Sequence, residues 1–287
     1  MCKGSFNVFG RLSSLTITIV KYSQTLRHLI AFKFDCTFNF KRSTALPATL
    51  ALTCVLNFVK PAMADETGLK TALMLADVLR AARTEIASQQ PTINNQLVGD
   101  KGLSGDVILK RTLARLDTSG KLDELNNPID ERERELFQAQ LDSIEEIINE
   151  NQPLINRKGI GFKGFVPAVF AQLTNERFGE KVGDLAEIKV TAPLELVRNR
   201  KARPDKWEND VIETRFKTAD WSRGQLFSEI ADGKNGSAFR VMVPEYYGEA
   251  CLACHGSPKG EMDVTGYPKE GGKLDELGGS ISITLYE

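Results

Sequence analysis

Histidine and cysteine are scarce in this sequence, two and five respectively among 287 residues. So small a supply leaves little for a multi-histidine metal centre or for acid–base catalysis by imidazole. Glycine (23) and proline (11) are too few for collagen-like or low-complexity sequence. A hydrophobic share of 41% is too high for a disordered chain. No uninterrupted apolar run approaches the ~18 residues of an ordinary membrane span. What is present, over this length, suffices for the core of one large domain or two small ones.

The 37 basic and 38 acidic side chains nearly cancel, but they are unevenly spread. Residues 1–64 carry Lys3, Arg11, Lys21, Arg27, Lys33, Lys41, Arg42 and Lys60 against Asp35 alone. The remaining 29 basic and 37 acidic groups give residues 65–287 a net charge of −8. An acidic body of this kind repels nucleic acid and anionic lipid, so neither is an expected partner.

The basic leader ends in a recognisable pattern. Lys41-Arg42 precedes an apolar stretch from Ala45 to Val59, and Ala62-Met63-Ala64 follows with small residues suited to cleavage. These elements predict a signal peptide cut after Ala64, a periplasmic or otherwise exported protein, and no membrane span after processing; a retained N-terminal anchor is the alternative. Residues 1–40 lie ahead of the signal, as a late start codon or an organellar presequence would place them. Setting aside 1–64 removes Cys2, Cys36, Cys54 and His28, and leaves Cys251, Cys254 and His255.

In residues 65–287 the apolar positions Leu69, Ala72, Leu73, Leu75, Ala76, Val78, Leu79, Ala82 and Ile86 recur at helical steps. They predict a long helix that ends near Pro91. A second helix is expected from Ser104 to Leu116 and a third from about Ile129 to Glu150. Shifting the chain by 62 positions superposes Gln90-Pro91-Thr92-Ile93-Asn94 on Gln152-Pro153-Leu154-Ile155-Asn156. Gly99, Lys101-Gly102 and Val107 then fall on Gly161, Lys163-Gly164 and Val169. Either a helix–Pro–Lys-Gly–helix unit is duplicated, or helix-stop chemistry has produced one string twice. Strands are expected at 187–191, 211–216 and 238–243, and a half-buried antiparallel one at 280–285. Helices first and strands later define an α+β domain with a small antiparallel sheet.

Cys251-Leu252-Ala253-Cys254-His255 is the C-x-x-C-H string of covalent c-type haem attachment. Thiols three positions apart can each bond one vinyl group of a porphyrin, and the adjacent imidazole falls beneath the iron as axial ligand. Gly256 lets the chain turn away beside the macrocycle. A redox C-x-x-C pair would sit in a βαβ setting, whereas this one lies between expected strands. A structural zinc site would need four Cys or His ligands, and three remain.

The sixth coordination position stays open on this reading. One histidine excludes bis-His ligation within one subunit. Met74, Met242, Met262, a lysine, Tyr246 or Tyr247 could approach the iron, and a vacant position would suit a diatomic gas. Arg198-Asn199-Arg200-Lys201-Ala202-Arg203 is the densest basic cluster, and Arg198 and Arg200 are candidate partners for haem propionates. A solvated loop is the plainer reading of the same charges.

Several segments together resemble a known family. They are Arg198 to Arg200, Pro204-Asp205-Lys206-Trp207-Glu208, Cys251 to Gly256, and Gly278-Gly279-Ser280-Ile281-Ser282-Ile283. Over most of residues 65–287 the chain resembles the bacterial PAS-like c-type haem domain family, long catalogued as a domain of unknown function. The resemblance implies a PAS-like antiparallel sheet with long N-terminal and flanking helices. It also implies one haem c held by Cys251 and Cys254, with His255 as axial ligand. Some relatives place a cysteine thiolate, supplied from upstream of the motif, on the far side of the haem; no cysteine of residues 65–250 can do so here.

The function expected is a redox or diatomic-gas sensor whose haem state is passed to a signalling or redox partner protein. A periplasmic electron carrier is the alternative, and an enzyme ranks third because no other catalytic constellation is visible. Mass spectrometry of the exported protein should find Asp65 at the mature N-terminus; a terminus well away from it would refute the assigned cleavage site.

Overall fold

The computed structural model describes residues 62–286, with side chains from Glu66 onward. Of the expected leader, residues 62–64 alone fall within this range, in the first turn of a helix. The rest of the leader lies outside the described residues.

Seven helices come first. They are α1 (Ala62–Ser88), α2 (Gln90–Ile93), α3 (Gly105–Thr118), α4 (Leu122–Asn126), α5 (Glu131–Glu150), α6 (Gln152–Ile155) and α7 (Pro167–Val182). Helix α1 buries Ala72, Leu75, Val78, Leu79, Ala82 and Ile86, the stripe its sequence predicted. Asp130 caps α5 by accepting the Glu133 N–H at 2.8 Å.

The 62-residue shift in the sequence is also a shift in structure. Helices α1 and α5 end at Ser88 and Glu150, and α3 and α7 begin at Gly105 and Pro167. Gln90 Nε2 donates to the carbonyls of Ile86 and Phe165, while Gln152 Nε2 donates to those of Ile148 and Leu103. Each loop also supplies the other with an acceptor. Asn156 Oδ1 takes the Lys101 N–H at 3.0 Å, and Asn94 Oδ1 takes the Lys163 N–H at 3.1 Å. Two independent helix stops would not reproduce such an exchange, so the geometry favours duplication of a helical hairpin. Lys101 and Lys163 are both buried. Lys101 Nζ donates to the carbonyls of Asn95 and Val98, and Lys163 Nζ to that of Ile160. Burial, with the like charge of Lys101, pushes the Lys163 ammonium below the usual lysine range.

The later elements are β1 (Ala186–Thr191), α8 (Lys206–Val211), β2 (Phe227–Gly233), β3 (Gly236–Tyr246), α9 (Glu249–His255) and β4 (Leu277–Tyr286). The strands form one antiparallel sheet in the order β1-β4-β3-β2. In register, Ile188 faces Ile283 and Ile283 faces Val241, so one apolar row crosses three strands. With Ala186, Val243, Ile281 and Leu285 this face closes on the helices. The fold is α+β, as the order of elements implied.

Two sequence expectations are corrected. Residues 211–216 are not a strand; they end α8 and continue as a π-helical turn, Ile212–Phe216. Asp205 and Glu208 form a capping box that starts a helix there, and Val211, Ile212 and Phe216 fold onto Met242. Strand β4 is buried on both faces rather than one. Ser280, Ser282 and Thr284 lie on the face away from the helical bundle, and all three are buried. Strand β2 was not foreseen, because as an edge strand it leaves Ile230 64% exposed and shows no regular alternation.

The reciprocal Asn contacts should carry equal weight. Asn94→Ala and Asn156→Ala should each lower stability by about 1–2 kcal/mol in urea unfolding, since each strands a buried backbone donor. A large loss in one and none in the other would contradict the equivalence of the two loops.

Candidate functional site

The C-x-x-C-H string occupies α9, the seven-residue helix between the two central strands. Strand β3 delivers it through Glu245, which is bonded by Arg80 and Arg83 of α1 at 2.7 and 3.0 Å. Beyond α9 the chain folds back on the motif. The Gly271 N–H donates to the Gly256 carbonyl and the Gly272 N–H to the His255 carbonyl. Tyr247 and Asp275–Glu276 then pair through two further backbone bonds, from Tyr247 N to Glu276 O and from Asp275 N to Tyr247 O. The motif is therefore clasped on both sides by backbone.

Cys251 is exposed, Cys254 and His255 are half-buried, and both thiols are free. Burial, with the neighbouring Asp263 charge, pushes the Cys254 thiol above its ordinary value. Among the described residues no group of three or more His, Cys, Asp or Glu is placed to hold a metal ion.

Two neighbours fix the His255 ring. Its Nδ1 lies 2.9 Å from Glu270 Oε2, and its plane stacks on Tyr247 with centroids 5.2 Å apart at 20°. A proton donated from Nδ1 to the carboxylate leaves the Nε2 lone pair to serve as a ligand. Tyr247 is wedged between two glycines. A Cβ at Gly272 would come within 2.6 Å of its ring and one at Gly278 within 2.5 Å, so no other residue allows this approach. Burial, together with the Glu270 charge, pushes the Tyr247 phenol up to about 12, so it stays neutral.

Arg198 joins these parts. Its Nε meets Glu270 Oε1 at 2.7 Å, and one terminal nitrogen meets Glu270 Oε2 and the Cys254 carbonyl, each at 3.0 Å. The other terminal nitrogen meets Asp263 Oδ2 at 2.6 Å. Burial opposes ionisation of Glu270 and Asp263. The hydrogen bonds and charges around them together outweigh it, led by Arg198 with His255 at Glu270 and by Thr265 with Arg198 at Asp263, and hold both carboxylates below the ordinary range. The guanidinium is thus spent on bracing the motif from beneath. Arg200 lies on a neighbouring 3₁₀ turn, exposed to solvent.

The candidate sixth ligands also separate. Met74 and Met242 are fully enclosed in two different cores, and Tyr247 is committed to the His255 face. Tyr246 accepts the Gly224 N–H through its hydroxyl and carries Arg223 over its ring. Met262 is 60% exposed on the hairpin that follows the motif. Sequence reasoning missed Glu270 and Asp263, since an acid in a Gly-rich loop has no pattern that separates it from a solvated one.

Fold and site together define an α+β domain in which a duplicated helical hairpin backs an antiparallel sheet and a C-x-x-C-H helix is clasped at the sheet's end. Residues 62–285 match the family described as Tll0287-like, and the chain belongs to that family. No protein of curated function and no solved structure matches it.

The two thiols should differ before anything is attached to them. In protein made without export, Cys251 should alkylate at least severalfold faster than Cys254 near neutral pH, because Cys254 is less exposed and holds its proton more firmly. Equal rates would show that the motif is not clasped as described.

Proposed function

We propose that this chain is an exported, single-haem c-type protein on a PAS-like scaffold, acting as a redox or diatomic-gas sensor. The observation that carries this reading is the placement of Cys251, Cys254 and His255 on one short helix, with His255 Nδ1 engaged by Glu270 and Nε2 left free. Apolar side chains exposed on the segments that clasp the motif support it. Met262, Val264, Tyr267 and Leu274 all lie open to solvent, as surface that a macrocycle would cover. No helix among the described residues is long and apolar enough to cross a membrane.

In this reading Cys251 and Cys254 would hold the haem as thioethers and His255 would ligate its iron. Arg200, exposed beside the braced Arg198, is the candidate partner for a propionate. Haem would supply an iron centre able to change oxidation state or bind a small ligand. The protein's own part is to fix the imidazole, through Glu270 on its edge and Tyr247 on its face, and to couple that helix to the bundle through Glu245, Arg80 and Arg83. A displacement of His255 would have a route through the Glu245 linkage to α1, where a signalling or redox partner protein could read it.

An electron carrier is the second reading, and Met262 is the observation that favours it. Met262 is exposed on the hairpin after the motif and would be available to supply a thioether to the iron, which would suit electron transfer.

Exported wild-type protein should retain a peroxidase-staining band on a denaturing gel, and Cys251→Ala/Cys254→Ala should lose it. A dark wild-type lane with both thiols still alkylatable would refute the haem reading. Optical spectra of the reduced protein should shift with carbon monoxide or nitric oxide; an unchanged six-coordinate spectrum would select the carrier.

A further inference from the structure

Glu270 is placed to do more than brace the loop. Both of its oxygens are engaged by Arg198, at 2.7 and 3.0 Å, and Oε2 also faces His255 Nδ1 at 2.9 Å. Bracing alone needs less, because Asp263, its side chain wholly enclosed, already anchors the same guanidinium at 2.6 Å. Glu270 alone links that guanidinium to the imidazole edge. We propose that Glu270 is a positioning residue that sets the donor strength of His255 toward iron, and that Arg198 limits its effect. The inference rests on the haem reading above.

The argument is electrostatic. A carboxylate that accepts the Nδ1 proton pushes electron density onto the ring, strengthens Nε2 as a donor, and favours the ferric state. A carboxylate shared with a guanidinium accepts less strongly, since part of its charge is already neutralised. The iron is therefore held between two limits, an imidazole with no anionic partner and one facing a bare carboxylate. Tyr247, stacked at 20° and wedged between Gly272 and Gly278, keeps the ring in the plane where Oε2 can reach it. Removing either partner should move the iron in opposite directions.

The test is the reduction midpoint of the exported, haem-loaded full chain. Glu270→Gln keeps the shape and removes the charge, and it should shift the reduction equilibrium about tenfold toward ferrous iron, a rise of about 59 mV for a one-electron couple. Arg198→Lys keeps a cation but not the two-pronged grip on Glu270, and its midpoint should fall. Asp263→Asn removes a nearby charge that does not touch His255, and it should move the midpoint by less than a third as much as Glu270→Gln. An unchanged midpoint in Glu270→Gln, or an equal rise in Asp263→Asn, overturns the proposal. If Glu270→Gln does not mature, the sign of the Arg198→Lys shift decides alone, and no fall overturns it. A wild-type chain that carries no haem would instead fail the functional reading itself.

Discussion

Three acceptors from one stretch of chain meet at a guanidinium that lies 56 to 72 residues before them. Arg198, from the turn after the first strand, reaches the Cys254 carbonyl, the Asp263 carboxylate and both oxygens of Glu270. A planar fork of donors can hold that many acceptors at fixed angles, which an ammonium cannot. The pairs are partly enclosed, with 18% of the Arg198 side chain and none of the Asp263 side chain exposed, so water screens them less than it would a surface pair. The motif helix has seven residues, and only a small hairpin with one β-bridge, Met262 to Pro268, follows it before the last strand. Alongside the backbone clasp, this one residue ties the motif and the hairpin beyond it to the turn after the first strand.

The two faces of the sheet are used differently. One carries the row Ile188, Ile283 and Val241 and seals the sheet to the helical bundle. The other is covered at one end by Val211, Ile212 and Phe216 on Met242, and elsewhere by polar contacts such as Arg240 with Asp205 at 2.6 Å. The motif lies on neither face. It hangs from the end where the two central strands begin and finish, so the apolar core is complete without it. That separation allows the segment carrying the chemistry to be glycine-rich and open while the scaffold stays tightly packed.

Much of the architecture was legible in the sequence because it rests on local rules. Pro91 and Pro153 follow the ends of α1 and α5 by three residues, in the first turns of α2 and α6, Ser104 precedes a helix, and Ile281, Ile283 and Leu285 alternate as a strand must. Residues 211–216 misled because two adjacent β-branched residues and a phenylalanine suit a strand as well as a helix. What decided the matter was the capping pair Asp205 and Glu208 six and three residues earlier. The cysteines and His255 could be named from spacing alone. Their supports could not, since Glu270, Asp263 and Arg198 come together only through the fold and each alone resembles an ordinary surface charge. Arg198 was singled out as one of a run of charges, read either as a solvated loop or as a propionate partner, and its donors meet Glu270, Asp263 and the Cys254 carbonyl.

The doubled hairpin carries a consequence for how this chain can vary. Each inter-helix loop ends a hydrogen bond that begins in the other, so neither can gain or lose a residue by itself. Surface loops usually absorb insertions freely; these two are registered against each other like the teeth of paired gears. A length change in one would have to be answered by a matching change 62 positions away. The bundle thus constrains its two most distant-looking turns to alter in concert or not at all.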